Sequence, residues 1–122
     1  MFNHTDKLEF NDKNEDLGKL QHILEEAIDI GADSIELEYV DGGLEVCYML
    51  GGMGVGTILA DRRLVSEIIE LIIDKAKLEN KSQGVMGWTH LGKQYKITVE
   101  EYENFGESAF RLILRKPKRK AG

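Results

Sequence analysis

The chain has 122 residues with 16 basic and 22 acidic side chains, a net charge of −6, and its length predicts one domain. Apolar residues make up 42% of the chain and charged residues 31%, a composition that excludes a collagen-like, coiled-coil or wholly disordered chain. No apolar run approaches the roughly 20 residues of a membrane span, and the N-terminus lacks a secretory leader pattern. The single cysteine, Cys47, cannot form an internal disulfide, which is typical of a reducing compartment. We therefore expect a cytoplasmic protein.

Basic residues are concentrated at the C-terminal end. Residues 111–122 hold six basic side chains and no acid, whereas the first 110 residues hold 10 basic and 22 acidic groups. A body this acidic disfavours nucleic-acid binding, because phosphate contacts need a basic surface. The tail itself has three interpretations: a solvated chain end, a docking segment, or a connection to a further domain. Its candidate partner contacts are Arg115, Lys116, Lys118, Arg119 and Lys120.

The first half of the chain predicts a helix followed by three strands. Residues 1–13 form a polar arm, and residues 15–30 have the apolar spacing of a helix, with Asn14 as N-cap and Gly31 as the left-handed C-terminal residue. Alternating apolar positions then predict strands at 34–40, 44–50 and 55–60. Glycine-rich turns separate these strands, since glycine tolerates positive φ.

The second half repeats this order. Asp61 caps a predicted helix over 62–78, whose broad apolar stripe is wide enough to lie across a sheet. Three further strands follow, at 85–89, 95–99 and 110–114. The order α-β-β-β-α-β-β-β predicts an α+β fold with two helices packed on an antiparallel sheet, PAS- or profilin-like in outline. One domain is expected over 14–116, followed by a basic tail at 117–122.

The glycine run at 51–56 invites comparison with a phosphate-binding loop. Such a loop needs Gly-Lys-Ser/Thr after the second glycine, because the lysine and hydroxyl reach the phosphates and magnesium. Here Thr57 follows Gly56, and the next lysine is Lys75. A hairpin loop is the favoured interpretation.

No other residue pattern supports catalysis or a metal centre. The carboxylates Glu100, Glu101, Glu103 and Glu107 cluster near a turn, and such a charge run is usually a solvated face. Cys47 lacks an adjacent base, so a packed thiol is expected. The three histidines, His4, His22 and His90, share no metal-ligand spacing. We therefore expect no enzyme activity, no cofactor and no metal.

Two aromatic residues near turns have two interpretations. Trp88 and Phe105 either pack in the core, which burial statistics favour, or anchor a protein partner, because aromatic residues are enriched at interface hot spots. Both are candidate partner contacts.

The segment 31–52, G-A-D-S-I-E-L-E-Y-V-D-G-G-L-E-V-C-Y-M-L-G-G, resembles the N-terminal domain that precedes the motor domain in bacterial type II secretion and type IV pilus assembly ATPases. That family reads approximately A-S-D-I-H-I-E-P, a glycine turn, then V-R-Y-R-I-D-G. The matching positions are Ala32, Ile35, Leu37, Glu38, Gly42 or Gly43, Val46, Tyr48, Leu50 and Gly52. The closing segment 105–115 resembles the family's G-E-x-x-V-x-R-L-L-x-R, so the resemblance spans about 15–116.

This sequence also departs from that family. Glu36 replaces the family histidine, Asp33-Ser34 inverts the serine–aspartate pair, and Gln83-Gly84 is what remains of a Q-D-G-R element. The two arginines of V-R-Y-R, which lie near the nucleotide in the family, are here Cys47 and Met49. Cysteine and methionine cannot replace bidentate phosphate contacts, so nucleotide contact is not carried over. The Walker motifs of the motor domain are absent.

The resemblance therefore implies a stand-alone, non-catalytic interaction or regulatory domain. It would bind a protein partner, such as secretion or pilus machinery, through a sheet edge or a helix face. The alternative is a homodimeric scaffold of the roadblock or profilin type that serves a nucleotide-switch protein and buries its isoleucine-rich second helix against its twin.

Overall fold

A computed structural model describes residues 17–114, and the predicted arm and basic tail lie outside this range. Two helices and six strands follow the order predicted from the sequence. Their bounds are α1 (Gly18–Ile30), β1 (Ser34–Val40), β2 (Gly43–Leu50), β3 (Met53–Leu59), α2 (Arg62–Ala76), β4 (Gln83–His90), β5 (Lys93–Asn104) and β6 (Glu107–Ile113). No helix among these residues is long and apolar enough to cross a membrane.

All six strands belong to one antiparallel sheet in the order β3-β2-β1-β6-β5-β4. Each half of the chain contributes a three-stranded meander. The two meanders join at the centre, where β1 pairs with β6 and Leu37 lies opposite Phe110. The predicted α+β architecture is therefore confirmed.

Both helices pack on one face of the sheet, and we call the opposite face the open face. Alternate residues of the strands point toward the helices and form one continuous core with them. The largest side chains that are almost wholly buried in this core are Trp88 and Phe110. From α2 the buried residues recur every three or four positions: Val65, Ile68, Ile72 and Ala76.

The helix ends have identifiable stop and start signals. Gly31 ends α1 in the left-handed region, with a φ of 79°, as predicted. Asp61 caps α2, and its Oδ1 accepts hydrogen bonds from the backbone N–H groups of Arg63 at 2.9 Å and Leu64 at 3.3 Å. By contrast, α1 begins at Gly18 with Leu17 in the N-cap position and no side-chain cap. The predicted start at residue 15 and cap at Asn14 lie outside the described residues.

Several strands are longer than the sequence predicts. The prediction ended β5 at residue 99, but the strand continues to Asn104 because Glu101 and Tyr102 remain paired with Phe110 and Ala109 of β6. The glutamates of this stretch hide the apolar alternation that marks a strand. The third strand begins at Met53 rather than at residue 55, since Met53 pairs with Leu50 directly after the turn.

Candidate functional site

The β3 edge, which comprises Met53–Leu59, is the most exposed apolar element of the described chain. Met53 is 65% exposed, Val55 57% and Ile58 56%. In the sheet order β3 is the first strand, so among the described strands it pairs with β2 alone. Its residues on the helix side stay exposed because the helices pack over the strands from β2 to β4. One side of the sheet thus ends in an uncovered apolar strand.

Within residues 17–114, the outer backbone edge of β3 has no strand paired with it. A two-residue turn at 51–52 joins β2 to β3 and places Leu50 opposite Met53. In such a hairpin the closing pair is hydrogen-bonded, and hydrogen-bonded pairs recur at every second position. The backbone groups that point away from β2 belong to the even-numbered residues Gly54, Gly56 and Ile58. These three residues offer N–H donors and C=O acceptors at the edge.

The β3 edge lacks the usual protection of edge strands. Native proteins place lysine, proline or a bulge there, because an unprotected edge recruits other strands. Here the whole run from Val46 to Ala60 contains no charged side chain and no proline, and β3 pairs with β2 at every position without a bulge. In a chain with 31% charged residues, the strand that ends the sheet therefore carries no charge.

The other edge strand, β4, is covered from the helix side. Met86 and Trp88 of β4 are 4% and 2% exposed. Gly84 lies so close to the C-terminus of α2 that a Cβ there would overlap the carbonyl oxygen of Ala76. The two edges of the sheet are thus unequal, and β3 is the open one.

Two glycines make the β3 edge flat on the open face. A Cβ at Gly54 would lie 2.9 Å from Cys47 Sγ, and a Cβ at Gly56 would lie 2.9 Å from Glu45 Oε2. Side chains of β2 therefore lean over the backbone of β3, which glycine allows. The sequence prediction treated this run as a glycine-rich turn. The signal it missed is glycine at every second position, which is the pattern of a strand with one bare face.

Asp33 fixes the turn that leads into β3. Its Oδ2 accepts a hydrogen bond from the backbone N–H of Gly51 at 2.9 Å. Its backbone N–H donates to Met49 O at 2.8 Å, and its C=O accepts from the Leu114 N–H at 2.9 Å. One residue thus ties the β2–β3 turn to the end of β6. The hairpin is held in place before any partner arrives, which lowers the ordering cost of binding.

The open face at the centre of the sheet pairs its own charges. Arg111 Nε lies 3.2 Å from Glu36 Oε2, and its Nη1 lies 3.4 Å from Glu100 Oε1. The Tyr102 hydroxyl donates to Glu38 Oε2 at 3.3 Å. Burial, followed by the neighbouring Glu36 and Glu38 charges, raises the pKa of Tyr102. Of the four clustered glutamates singled out in the sequence, Glu100 takes part in this network.

Cys47 lies on the open face beside this network. Its side chain is half-buried, and its Sγ is 3.7 Å from Met49 Sδ. Burial raises the pKa of the Cys47 thiol, and the negative charges of Glu45, Glu36 and Glu38 add to that effect. The thiolate, which is the nucleophilic form, is therefore disfavoured. These two residues stand where the resembling family has its arginines.

A second polar cluster lies between α1 and the end of β4. His90 Nε2 is 2.8 Å from Asp29 Oδ1, and His90 Nδ1 is 3.5 Å from Glu25 Oε2. A shallow cleft of about 490 Å³ beside it is lined by residues of α1, including His22. Within residues 17–114, no group of three or more His, Cys, Asp or Glu side chains has the arrangement of a metal site. The cluster fastens α1 to the sheet.

The two aromatic candidate partner residues, Trp88 and Phe105, are not brought together. Trp88 is a core residue, so its indole is not presented at the surface, and its Nε1 has no hydrogen-bond partner among the described residues. Phe105 is 98% exposed in the β5–β6 turn, with a φ of 52°. They lie toward opposite ends of β5, since Trp88 pairs with Tyr95. The basic residues Arg115, Lys116, Lys118, Arg119 and Lys120 lie outside the described range.

The glycine run has the geometry of a hairpin. Gly51 has a φ of 63° in the two-residue turn, and the residues that follow form β3. In a phosphate loop the glycine run leads directly into a helix N-terminus. Here α2 begins at Arg62, after all of β3, and its first N–H groups are taken by Asp61. A hairpin is present, as expected, but its turn is only residues 51–52, and the rest of the glycine run belongs to β3.

Comparison with solved structures finds a similarity to the X-ray structure of the Legionella pneumophila ATPase DotB. The TM-score is 0.49 and the sequence identity 18%, over 90% of this chain and 32% of that chain. This chain therefore spans about a third of the length of that ATPase. No protein-family profile and no curated protein sequence matches the chain.

Proposed function

We propose that this chain is a non-catalytic protein-interaction domain related to the N-terminal domain of secretion and pilus ATPases, and that the β3 edge is its contact surface. The observation that carries the proposal is an uncharged edge strand with exposed apolar side chains at Met53, Val55 and Ile58. Extended segments bind such edges by adding a strand, with backbone hydrogen bonds giving affinity and side-chain contacts giving specificity.

The energetics favour a covered edge. Full burial of a valine, isoleucine or methionine side chain contributes about 1.5–3 kcal/mol, and these three are a little more than half exposed. A partner strand would thus recover about 1 kcal/mol at each of them. The backbone groups of Gly54, Gly56 and Ile58 would exchange water for strand hydrogen bonds of about 1 kcal/mol net each.

Residue chemistry supports the proposal that this domain does not contact a nucleotide. Cys47 and Met49 lie side by side on the open face at the positions of the family arginines. Neither side chain offers the forked, permanently charged donors that hold a phosphate. Glu45 and Glu36 surround Cys47 with negative charge, which repels a nucleotide phosphate further.

A site-specific photocrosslink tests the contact surface. A benzoyl-phenylalanine residue is placed at Val55 in cells that naturally express the chain, and matched probes are placed at Leu91 and Phe105, which are exposed apolar residues in other turns. We expect a discrete protein adduct from Val55, with the crosslinked residues identified by mass spectrometry. Absence of any Val55 adduct, or equal adducts from all three probes, would overturn the proposal.

A nucleotide titration tests the non-catalytic part. We expect no saturable shift of the backbone amide signals of 51–56 when ATP or GTP is added with magnesium to the labelled chain. Arg111→Ala gives a reference spectrum for signals that depend on the open face. Saturable shifts with micromolar affinity would contradict a domain without nucleotide contact.

A further inference from the structure

We propose that the partner of the β3 edge is the β3 edge of a second copy of this chain. The two strands pair antiparallel about a two-fold axis at Gly56 and join two six-stranded sheets into one. This inference rests on the proposed function, because it names the partner of the same surface. It differs from the roadblock-type alternative in leaving α2 out of the interface, since the apolar stripe of α2 already faces its own sheet.

The backbone pattern of β3 is self-complementary. The outward-facing residues are Gly54, Gly56 and Ile58, and Gly56 is the midpoint of Met53–Leu59. A two-fold axis at Gly56 sets Gly54 opposite Ile58 of the second copy and Gly56 opposite its own equivalent. Each of these pairs exchanges two backbone hydrogen bonds, so the interface contains about six. No residue of the strand is left without a counterpart.

The side chains match in the same register. On the open face, Ile58 of the second copy lies opposite Gly54, where it contacts the sulfur atoms of Cys47 and Met49 that lean over that glycine. The bulky Ile58 side chain thus lies opposite a residue that has no side chain. On the helix side, Val55 lies opposite Thr57 of the second copy, a pair of β-branched residues suited to a sheet. Met53 lies opposite Leu59 and extends the apolar strip.

Neighbouring registers are poorer. In the joined sheet, the side chains of each copy must stay on the same face as the equivalent side chains of the other copy. The two-fold axis must therefore pass through a residue, and the nearest alternatives to Gly56 are Val55 and Thr57. With the axis at Val55, Ile58 lies opposite Gly52 of the turn, outside the strand, and Leu59 has no counterpart in it. With the axis at Thr57, Met53 lies beyond the end of the other strand. The Gly56 register alone covers all seven residues.

Charge explains why two copies meet at this strand. Each copy carries a net charge of −6, so most surfaces of one molecule repel the same surface of another. The run from Val46 to Ala60 has no charged side chain, so β3 itself brings no like charges into contact, and the repulsion at this edge comes from the Glu45 carboxylate of β2, which leans over Gly56. Two-fold pairing also occupies the β3 edge of each copy, which prevents growth beyond the dimer through β3.

Sedimentation velocity over a concentration series tests the dimer. We expect the full chain to be a monomer–dimer mixture with a dissociation constant on the order of 10 μM, because the interface is small. Val55→Lys/Thr57→Lys sets lysines directly opposite one another and is expected to weaken association at least about tenfold. Leu91→Lys/Phe105→Lys makes the same charge change at exposed positions elsewhere and is expected to leave it unchanged. Circular dichroism melts verify that both variants fold.

Disulfide trapping tests the register. In a Cys47→Ser background, Val55→Cys and Thr57→Cys are made as separate chains with distinct mass tags. Residues 55 and 57 of opposite copies lie about 4.5 Å apart between Cα atoms, within the range of a disulfide. Two residues 55 lie about 8 Å apart, beyond that range. We expect a mixed dimer on oxidation of the mixture, and little from either chain alone.

The outcomes separate this inference from the proposed function. A chain that stays monomeric up to millimolar concentration, or a lysine variant that dimerises like its control, overturns self-pairing. Efficient crosslinking of Val55→Cys alone overturns the Gly56 register. A photocrosslink from Val55 to a different protein, with a monomeric purified chain, overturns self-pairing but supports the proposed function. A photocrosslink between two copies supports both.

Discussion

Gly84 and Tyr48 show how single residues hold the two helices against the sheet. Gly84 has no Cβ, which lets the C-terminal carbonyl of α2 lie on β4. Tyr48 reaches from β2 to α1, where its hydroxyl donates a hydrogen bond to Glu26 Oε1 at 3.0 Å. The sequence prediction began this strand only at residue 85, and the close backbone approach that requires glycine at position 84 depends on tertiary packing. Each contact yields a measurable prediction.

Gly84→Ala is expected to lower the free energy of unfolding by about 1–3 kcal/mol. The added methyl group would overlap the Ala76 carbonyl oxygen, and a backbone atom yields less easily than a flexible side chain. Urea denaturation measures the change. Gly52→Ala is the matched control, because a Cβ at Gly52 meets open space. Equal effects of the two substitutions would contradict the packing of α2 on β4.

The stability of the fold is expected to fall above the ordinary tyrosine pKa of 10.0. Burial raises the pKa of Tyr48 well above that value, and its hydrogen bond to Glu26 and the Glu26 charge raise it further. A raised folded-state pKa means that the stabilising contribution is complete below pH 10 and is lost as the pH rises toward the folded-state value. Ultraviolet titration of the phenolates should show a group that ionises later than the other tyrosines, and Tyr48→Phe should remove it. A Tyr48→Phe chain with unchanged alkaline sensitivity would contradict this assignment.

Among the elements, the helices and the hairpin turns follow from local sequence, while the exposure of β3 does not. The end of α1 and the start of α2 were predicted correctly, because the left-handed conformation of Gly31 and the capping side chain of Asp61 are favoured by the residue type itself. The end of β5 was missed because its glutamates resemble a loop. The exposure of Met53 and Val55 depends on how far the helices extend across the sheet, which no local pattern encodes.

Asp61→Ala is expected to cost about 1 kcal/mol of stability, because two N–H groups of the first turn of α2 lose their acceptor. Asp61→Asn is the control, since asparagine caps helices about as well as aspartate. Chemical denaturation of both variants gives the comparison. A loss of equal size for alanine and asparagine would indicate that the charge of Asp61, rather than its hydrogen bonds, matters.

At the scale of the whole molecule, the net charge opposes self-association, whereas the exposed edge strand favours it. The sheet offers an edge suited to pairing, while the net charge of −6 opposes the approach of two copies. That charge could be counted from the sequence, and the tail that offsets it could be located. What the sequence could not predict is that the uncharged segment coincides with the uncovered side of the sheet, because that coincidence exists only in the folded chain.

Self-association is therefore expected to strengthen with ionic strength. Raising sodium chloride from about 20 to about 300 mM shortens the screening length and weakens the repulsion between copies, while the uncharged strand contact is unaffected. Sedimentation at the two salt concentrations measures the change, which we expect to be several-fold in the dissociation constant. Weaker association in high salt would mean that attractive charge pairs hold the dimer and would count against the β3 contact.

The central position of β6 in the sheet determines which strands remain unpaired while the chain is being synthesised. Strand β6, the last of the described strands, lies at the centre of the sheet, where Arg111 contacts Glu36 across a separation of 75 residues. The first meander therefore leaves the ribosome with one edge of β1 and one edge of β3 unpaired, and that edge of β1 stays unpaired until β6 has been synthesised. Contacts of this sequence separation form slowly. Nascent chains of this protein thus pass through a stage with two open strands, during which a chaperone or a neighbouring nascent copy has access to both.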